Sequence, residues 1–222
     1  IQLYVQFTET SYIRYKTITT TNSTGEFKGA IRPALLRIIQ HLGEEVTLSY
    51  SSKLGAVKFN SSEGEMCFIV DSSANAIVKK VDSIIKSETH SYVQVPHEEI
   101  TESIKWQSYD STETNIINLD FNVEEEQFSI KIDGNKSKNN KPSLLNVEYS
   151  GLFEKINLSV GHITKALKAL GTPKNKVLPI EIVQINIKKI PVKNSMDINV
   201  IHLCSDKEDD VSSDVIIYEA NC

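Results

Sequence analysis

Residues 163–171 read Ile-Thr-Lys-Ala-Leu-Lys-Ala-Leu-Gly, and residues 31–43 read Ile-Arg-Pro-Ala-Leu-Leu-Arg-Ile-Ile-Gln-His-Leu-Gly. Both segments open with Ile, carry Ala three and Leu four residues later, and close on Leu-Gly. At about 100° per residue, this spacing gathers the apolar side chains on one face of a short helix, and Gly is frequent just after a helix C-terminus. Strand-like sequence follows each segment. The repeat therefore predicts a duplicated unit in which a short amphipathic helix lies on a β-sheet.

Most of the remaining chain reads as short strands. Three strands are predicted after the first repeat, at residues 46–50, 56–59 and 66–70, and more are predicted on both sides of a further helix over residues 98–107. Strands of about 5–8 residues joined by short turns indicate antiparallel pairing. The predicted fold class is α+β, with two similar domains of antiparallel sheet and short helices on one face.

The chain length also favours two domains. Its 222 residues fit two units of about 100 residues each. Residues 77–81 read as a strand or the start of a connector, and residues 82–91 are mostly polar and read as a linker. The predicted division is therefore a first domain over 1–81, a linker over 82–91 and a second domain over 92–222. Because the chain begins at Ile1 inside strand-like sequence, we expect the first domain to be truncated at its start.

Composition limits the classes of function. The chain carries 24 Lys and Arg against 29 Asp and Glu, a formal net charge of -5, which argues against gripping nucleic acid with the whole surface but permits a local basic face. No apolar run approaches the ~18 residues of a membrane span, so no membrane association is expected. The three cysteines are far apart, and reduced thiols of a cytoplasmic protein are their ordinary interpretation.

The sequence offers no recognisable catalytic or metal site. It contains no glycine-rich phosphate loop, no HExxH zinc motif and no GxSxG nucleophile motif. The five histidines are scattered, and the acidic residues over 206–214 read as a solvated turn. We therefore expect no catalytic residue, no metal and no cofactor.

Basic residues lie opposite the apolar stripe of each repeated helix. Neither segment contains an acidic residue, although the whole chain is acidic. Two interpretations remain open: two solvated faces that are basic by chance, or one surface that faces a polyanion through salt-sensitive phosphate contacts. In the helix over 98–107 the exposed charges are mixed, so its lysine is a weak candidate. The candidate DNA-binding residues are Arg32, Arg37, Lys105, Lys165, Lys168, Lys174 and Lys176.

The spacing of apolar residues resembles that of the DNA polymerase sliding clamps, and most of all that of the two-domain clamps of bacteriophages. The resemblance is carried by the pattern from Phe27 through Leu35 to Leu42-Gly-Glu-Glu-Val46-Thr-Leu48, and by Ile156-Asn-Leu158 followed by the second repeat. The segment Val93-Gln-Val-Pro96, with the helix after it, is similar to the opening of a clamp domain.

The resemblance implies a specific function. Clamps are not enzymes: they close into homo-oligomeric rings, trimers when each subunit has two domains, and helices line a hole that encloses double-stranded DNA. A clamp loader opens the ring with ATP, and the DNA polymerase docks through a peptide, so the clamp itself needs no nucleotide or other cofactor. Docking would use an apolar pocket beside the linker and the C-terminal strand. The exposed apolar candidates there are Ile84, Ile85, Val215, Ile217 and Tyr218. Two interpretations of the adjacent isoleucines stay open: they form the rim of the pocket, or they pack on their own domain.

Two other classes remain as alternatives. A β-rich binding module or viral structural protein that forms no ring would share the strand count but would not require a repeated basic helix. An enzyme such as a β-rich hydrolase would require polar residues clustered at strand ends, and the sequence does not bring such a cluster together.

Overall fold

The structure, a computed structural model, describes residues 2–8, 11–16, 40–43, 45–70, 74–109, 115–122, 127–132, 143–151, 155–171, 180–191, 196–205 and 212–220. Within these ranges the chain forms fourteen strands, three α-helices and one 3₁₀ turn, Gln40–Leu42. The helices are α1 (Ala74–Lys86), α2 (His97–Gln107) and α3 (Val160–Leu170). The strands are β1 (Gln2–Thr8), β2 (Ser11–Lys16), β3 (Thr47–Ser51), β4 (Ala56–Ser61), β5 (Gly64–Ile69), β6 (Ser91–Pro96), β7 (Ile116–Asn122), β8 (Gln127–Ile132), β9 (Ser143–Asn146), β10 (Glu148–Ser150), β11 (Ile156–Ser159), β12 (Ile182–Ile190), β13 (Ile198–Ser205) and β14 (Ser212–Tyr218).

The strands form three sheets in which every described pair is antiparallel. One sheet has seven strands in the order β1-β2-β14-β13-β12-β6-β10, a second has the order β11-β7-β8-β9, and a third has the order β3-β4-β5. Antiparallel sheets with three short helices confirm the predicted α+β class.

The chain divides into two compact units. The larger unit comprises residues 1–19 and 81–222, and the smaller unit comprises residues 20–80. This division and the predicted domains separate the chain at nearly the same point, but they assign β1 and β2 differently, because β2 pairs with β14. The division into domains over 1–81 and 92–222 remains a prediction.

The larger unit has one apolar core. Alternate residues of β7 and β12 point into it, for example Ile117 and Leu119 or Val183 and Ile185, because successive side chains of a strand point to opposite faces. The buried stripes of α2 and α3 belong to the same cluster. The two sheets that contain these strands therefore share their core with both helices.

The smaller unit has a separate, smaller core. Its buried residues are Leu42, Val57 and Phe59, and Met66 and Phe68 pack against them. The rings of Phe59 and Phe68 meet edge to face with their centroids 5.7 Å apart, an arrangement that aromatic pairs prefer.

Two of the predicted helices are confirmed, and one segment that was predicted as a strand or the start of a connector is helical. The predicted helix over 98–107 is α2, and the second repeat is α3, which begins one turn earlier, at Val160. Residues 77–81, predicted as a strand or the start of a connector, lie in α1, which also takes the first half of the predicted linker over 82–91. The first repeat, apart from residues 40–43, lies outside the described residues, so the duplication remains a prediction.

Candidate nucleic-acid interface

The helices α2 and α3 lie side by side on the core of the larger unit. Ile100 and Ile104 of α2 and Ile163 of α3 are buried in the same cluster. A ring nitrogen of His97, the first residue of α2, lies 3.4 Å from the carbonyl oxygen of Leu167. This contact sets the beginning of α2 beside the last turns of α3.

The exposed face of α3 is basic, as the sequence predicts. Ile163, Ala166, Leu167 and Leu170 recur at helical spacing and are all buried. Their burial leaves three side chains of this helix exposed, those of Thr164, Lys165 and Lys168. Because α3 contains no acidic residue, both charged side chains on its exposed face are cations.

The exposed face of α2 has the opposite sign. Glu98, Glu99 and Glu102 are exposed, and Lys105 is the cation that accompanies them on the helix. Three carboxylates against one ammonium give α2 a negative surface over its first two turns. The helix pair is therefore charge-segregated, with phosphate-attracting groups on α3 and phosphate-repelling groups on most of α2.

The other predicted DNA-binding residues cannot be placed on this surface. Arg32, Arg37, Lys174 and Lys176 lie outside the described residues. Lys105, Lys165 and Lys168 are described and exposed.

The predicted partner-binding residues divide into buried and accessible ones. Val215 and Ile217 are 0% exposed and Ile84 is 2% exposed, so the prediction that they are exposed is wrong. Val215 and Ile217 sit in alternate positions of β14 that point into the core, and the period of two in that strand already indicated this. Ile85 and Tyr218 are half-buried and keep accessible surface.

The end of α1, which carries Ile85, contacts the face of the seven-stranded sheet that carries Tyr218. The Nζ of Lys188 donates to the carbonyl oxygen of Ile85 at 2.9 Å. Lys188 is paired with Val200, and Val200 is paired with Tyr218. The side chains of these three strand residues therefore form a row across β12, β13 and β14. The last turn of α1 is therefore tied to the row that ends in Tyr218.

This face also carries a buried ionic cluster that the sequence analysis did not predict. The carboxylate of Asp214 accepts hydrogen bonds from Arg14 Nε at 2.9 Å and Arg14 Nη2 at 2.7 Å, and its other oxygen lies 2.8 Å from His202 Nε2. Arg14 Nη1 is also 3.7 Å from Asp82 in α1. Burial by itself would raise the pKa of Asp214, but His202 and Arg14 outweigh it and hold the pKa below its ordinary value of 3.8.

Lys188 is the other buried charge on this face. It is 2% exposed, and its Nζ also donates to the carbonyl oxygen of Ser87 at 2.6 Å. Burial lowers the pKa of Lys188 below its ordinary value of 10.5, against the opposing effect of the acidic groups of Cys204 and Asp214. A cation that is hydrogen-bonded to the last carbonyl oxygens of a helix interacts favourably with the negative end of the helix dipole. Lys188 therefore acts as the C-terminal cap of α1.

Side-chain amides complete the polar face. Gln94 Nε2 donates to Gln184 Oε1 at 3.0 Å, and Gln184 Nε2 donates to Asn186 Oδ1 at 2.7 Å. Asn186 Nδ2 donates to the carbonyl oxygen of His202 at 3.2 Å. The alternation of polar and apolar residues along β12 to β14 was the signal that could have located this face.

The described part of the chain shows neither a metal centre nor a membrane-spanning helix. No three His, Cys, Asp or Glu residues among those described are close enough to hold a metal ion. No described helix has the length and apolar character needed to cross a bilayer.

Comparisons with known proteins identify the fold. No protein-family model matches this sequence, and no curated protein matches it. Solved structures do match. A DNA polymerase III beta subunit of Eubacterium rectale, described as putative, superposes with a TM-score of 0.71 and 13% identity over 100% of this chain and 54% of that one. The sliding clamp of Bacillus subtilis superposes with a TM-score of 0.68 and 12% identity over 96% of this chain and 52% of that one.

The beta subunit of Streptococcus pyogenes DNA polymerase gives a TM-score of 0.66 and 14% identity over 99% of this chain and 57% of that one. This chain thus spans about half the length of the structures it matches. The chain has the fold of the DNA polymerase sliding clamps.

Proposed function

We propose that this chain is a subunit of a sliding clamp that encloses duplex DNA and tethers a DNA polymerase. The observation that supports the proposal most strongly is the match to sliding clamps over 96–100% of this chain. The proposed role is non-catalytic, since holding DNA within a ring requires no chemical step. The likeness to two-domain bacteriophage clamps remains a prediction.

The proposed DNA-facing surface is the exposed face of α3. Lys165 and Lys168 project from a helix without acidic residues, and lysines contact phosphates without regard to base sequence. Two such contacts per subunit give weak affinity, but a ring that is held by topology needs no more. The acidic first turns of α2 make that helix a poor phosphate contact, and Lys105 near its end is the exception.

The proposed assembly is a homo-oligomeric ring, a trimer if each subunit contributes two domains. Its proposed partners are duplex DNA, the DNA polymerase and a clamp loader. For polymerase docking we retain Ile85 and Tyr218, because both keep accessible surface and the end of α1 contacts the sheet face that carries Tyr218.

The proposal is tested by measuring mass and topology together. Native mass spectrometry of the purified chain is expected to give a closed oligomer, with three copies for a two-domain ring. After loading, the protein is expected to remain on nicked circular DNA at moderate salt and to leave within minutes when a nuclease linearises the circle. A monomer under all conditions, or equal retention on circular and linear DNA, would contradict the proposal.

A further inference from the structure

Two large aromatic side chains are exposed at the end of α2. Trp106 is 76% exposed and Tyr109 is 85% exposed, and Trp106 is the only tryptophan of the chain. The Tyr109 N–H donates to the carbonyl oxygen of Trp106 at 3.4 Å, and the Ser108 N–H donates to that of Ile104 at 2.8 Å. These two hydrogen bonds therefore fix the backbone of the segment that carries both rings. A pair of exposed aromatic rings within one helical turn is typical of a binding surface rather than of a solvated helix.

The charges around these rings limit what can bind there. Glu98, Glu99 and Glu102 precede them on α2, while Lys165 and Lys168 are exposed on the adjacent α3. Phosphates are therefore attracted to α3 and repelled from most of α2. Duplex DNA presents phosphates on its whole outer surface, so it suits α3 but not α2. The lysines of α3 lie toward the beginning of α2, since His97 contacts Leu167, and the rings lie at the other end of α2. An unpaired strand that runs along the helix pair can stack bases at the aromatic end and place phosphates farther along at the lysines.

We infer that Trp106 and Tyr109 form a stacking surface for the bases of an unpaired nucleic-acid strand that runs along the helix pair, with phosphates farther along the strand at Lys165 and Lys168. Every base has a flat face that can stack on an aromatic ring, so this contact does not select a base sequence. Lys105 lies beside Trp106 and is exposed, so it supplies one cation at the aromatic end. The site is additional to the proposed enclosure of duplex DNA and does not depend on ring closure.

The length of the site determines how long an oligonucleotide probe must be. Helix α2 has 11 residues, which is about 16 Å at 1.5 Å per residue, so a strand that crosses the helix pair covers a few nucleotides. A single-stranded oligothymidine of about 20 nucleotides is long enough, and thymine forms little internal structure. Because Trp106 is the only tryptophan, its fluorescence in the parent protein reports directly on stacking.

The expected result is quenching of Trp106 fluorescence by oligothymidine, but not by a duplex of the same length. Fluorescence anisotropy of a labelled oligothymidine should then show that Trp106→Ala with Tyr109→Ala weakens binding by at least about tenfold. The affinity for the duplex should change by less than about twofold, because phosphate contacts carry it. Trp106→Phe should retain most of the affinity for oligothymidine, because a ring remains.

The matched control is Tyr50→Ala, which removes an exposed aromatic ring from the smaller unit and should leave both affinities unchanged. Equal oligothymidine affinity in the parent and in the Trp106→Ala, Tyr109→Ala variant would overturn the inference. Quenching of Trp106 by duplex as strong as that by oligothymidine would overturn it as well. Neither result would affect the ring proposal, which is decided by native mass and by retention on circular DNA.

Discussion

Asp214 shows how the environment of a single residue departs from its place in the sequence. The residue ends an acidic stretch that reads as a solvated turn, yet it lies in β14 and is buried. Its carboxylate is stable there because Arg14 and His202 donate to both of its oxygens, and a buried charge without such partners would be strongly unfavourable. The sequence could not reveal this because Arg14 is 200 residues away along the chain.

The first prediction concerns Asp214→Asn. The substitution should reduce the free energy of unfolding by about 2–3 kcal/mol near neutral pH, because Arg14 and His202 lose a charged acceptor. The pKa of Asp214 is held below 3.8, so its stabilising contribution is complete above the unfolded pKa and is lost as the pH falls through the lower folded pKa. The difference between parent and variant should therefore shrink below about pH 4.

Urea denaturation of both proteins from about pH 7 to about pH 3 measures this difference. Glu148→Gln is the control, because Glu148 is an exposed carboxylate of β10, and it should shift the parent curve only slightly at any pH. A difference between parent and Asp214→Asn that stays constant across the acid range would show that the carboxylate is not the stabilising group.

At the scale of the element, α1 shows where periodicity was misread. Residues 77–81 contain three apolar residues and read as a strand when taken alone. Taken with the next turns, Ile77, Val81, Ile84 and Ile85 follow the spacing of one helical face. The structure buries Val81 and Ile84 and bonds the last carbonyls of the helix to Lys188 on β12, about one hundred residues later. This tertiary contact stabilises the helix end, and local sequence does not contain it.

The second prediction tests Lys188 as the cap of α1. Lys188→Met keeps much of the side-chain volume but removes the donor to the carbonyl oxygens of Ile85 and Ser87. The last turn should fray, so the amide hydrogen of Ser87, which is bonded to the carbonyl oxygen of Ile84, should exchange at least about tenfold faster. Hydrogen exchange read by NMR measures this. Lys105→Met, in the last turn of α2, is the matched control and should leave Ser87 unchanged; equal protection of Ser87 in all three proteins would exclude the capping role.

The third prediction separates core packing from partner docking at the end of α1. Ile84→Ser removes a side chain that is 2% exposed and should cost about 2–4 kcal/mol of stability. Ile85→Ser should cost less than about 1 kcal/mol, because Ile85 is half-buried, and should weaken binding of the cognate polymerase peptide by about 1–2 kcal/mol. Calorimetric titration with that peptide, together with thermal melting, measures both effects. Unchanged affinity in Ile85→Ser would remove this residue from the docking surface.

At the scale of the whole molecule, the sequence predicted the fold class and the packed helices better than it predicted the residues of the site. Apolar spacing located α2 and α3 within one turn, since a helix must bury one stripe wherever it packs. It also correctly left Lys165 and Lys168 exposed. It failed where burial depends on which sheet a strand joins: Val215 and Ile217 were expected at the surface but point into the core. The surfaces that distant strands create together are the least accessible to sequence reasoning.

The last prediction tests the basic face of α3 in the assembled protein. Lys165→Glu with Lys168→Glu reverses both exposed charges of this helix while leaving its buried stripe intact. If these lysines contact phosphates, each lost contact should reduce the magnitude of the slope of log affinity against log salt by about 0.9. The slope of the double variant should therefore be smaller by nearly 2 for each subunit that contacts the DNA. Titration with duplex DNA between about 50 and about 200 mM salt measures the slope. The matched control is Lys131→Glu with Lys155→Glu, which makes the same change in net charge at two exposed lysines that are not part of a helix, one on β8 and one just before β11. A smaller slope in the α3 variant alone would assign the contact to this face, whereas equal slopes in both variants would show that only the net charge of the protein matters.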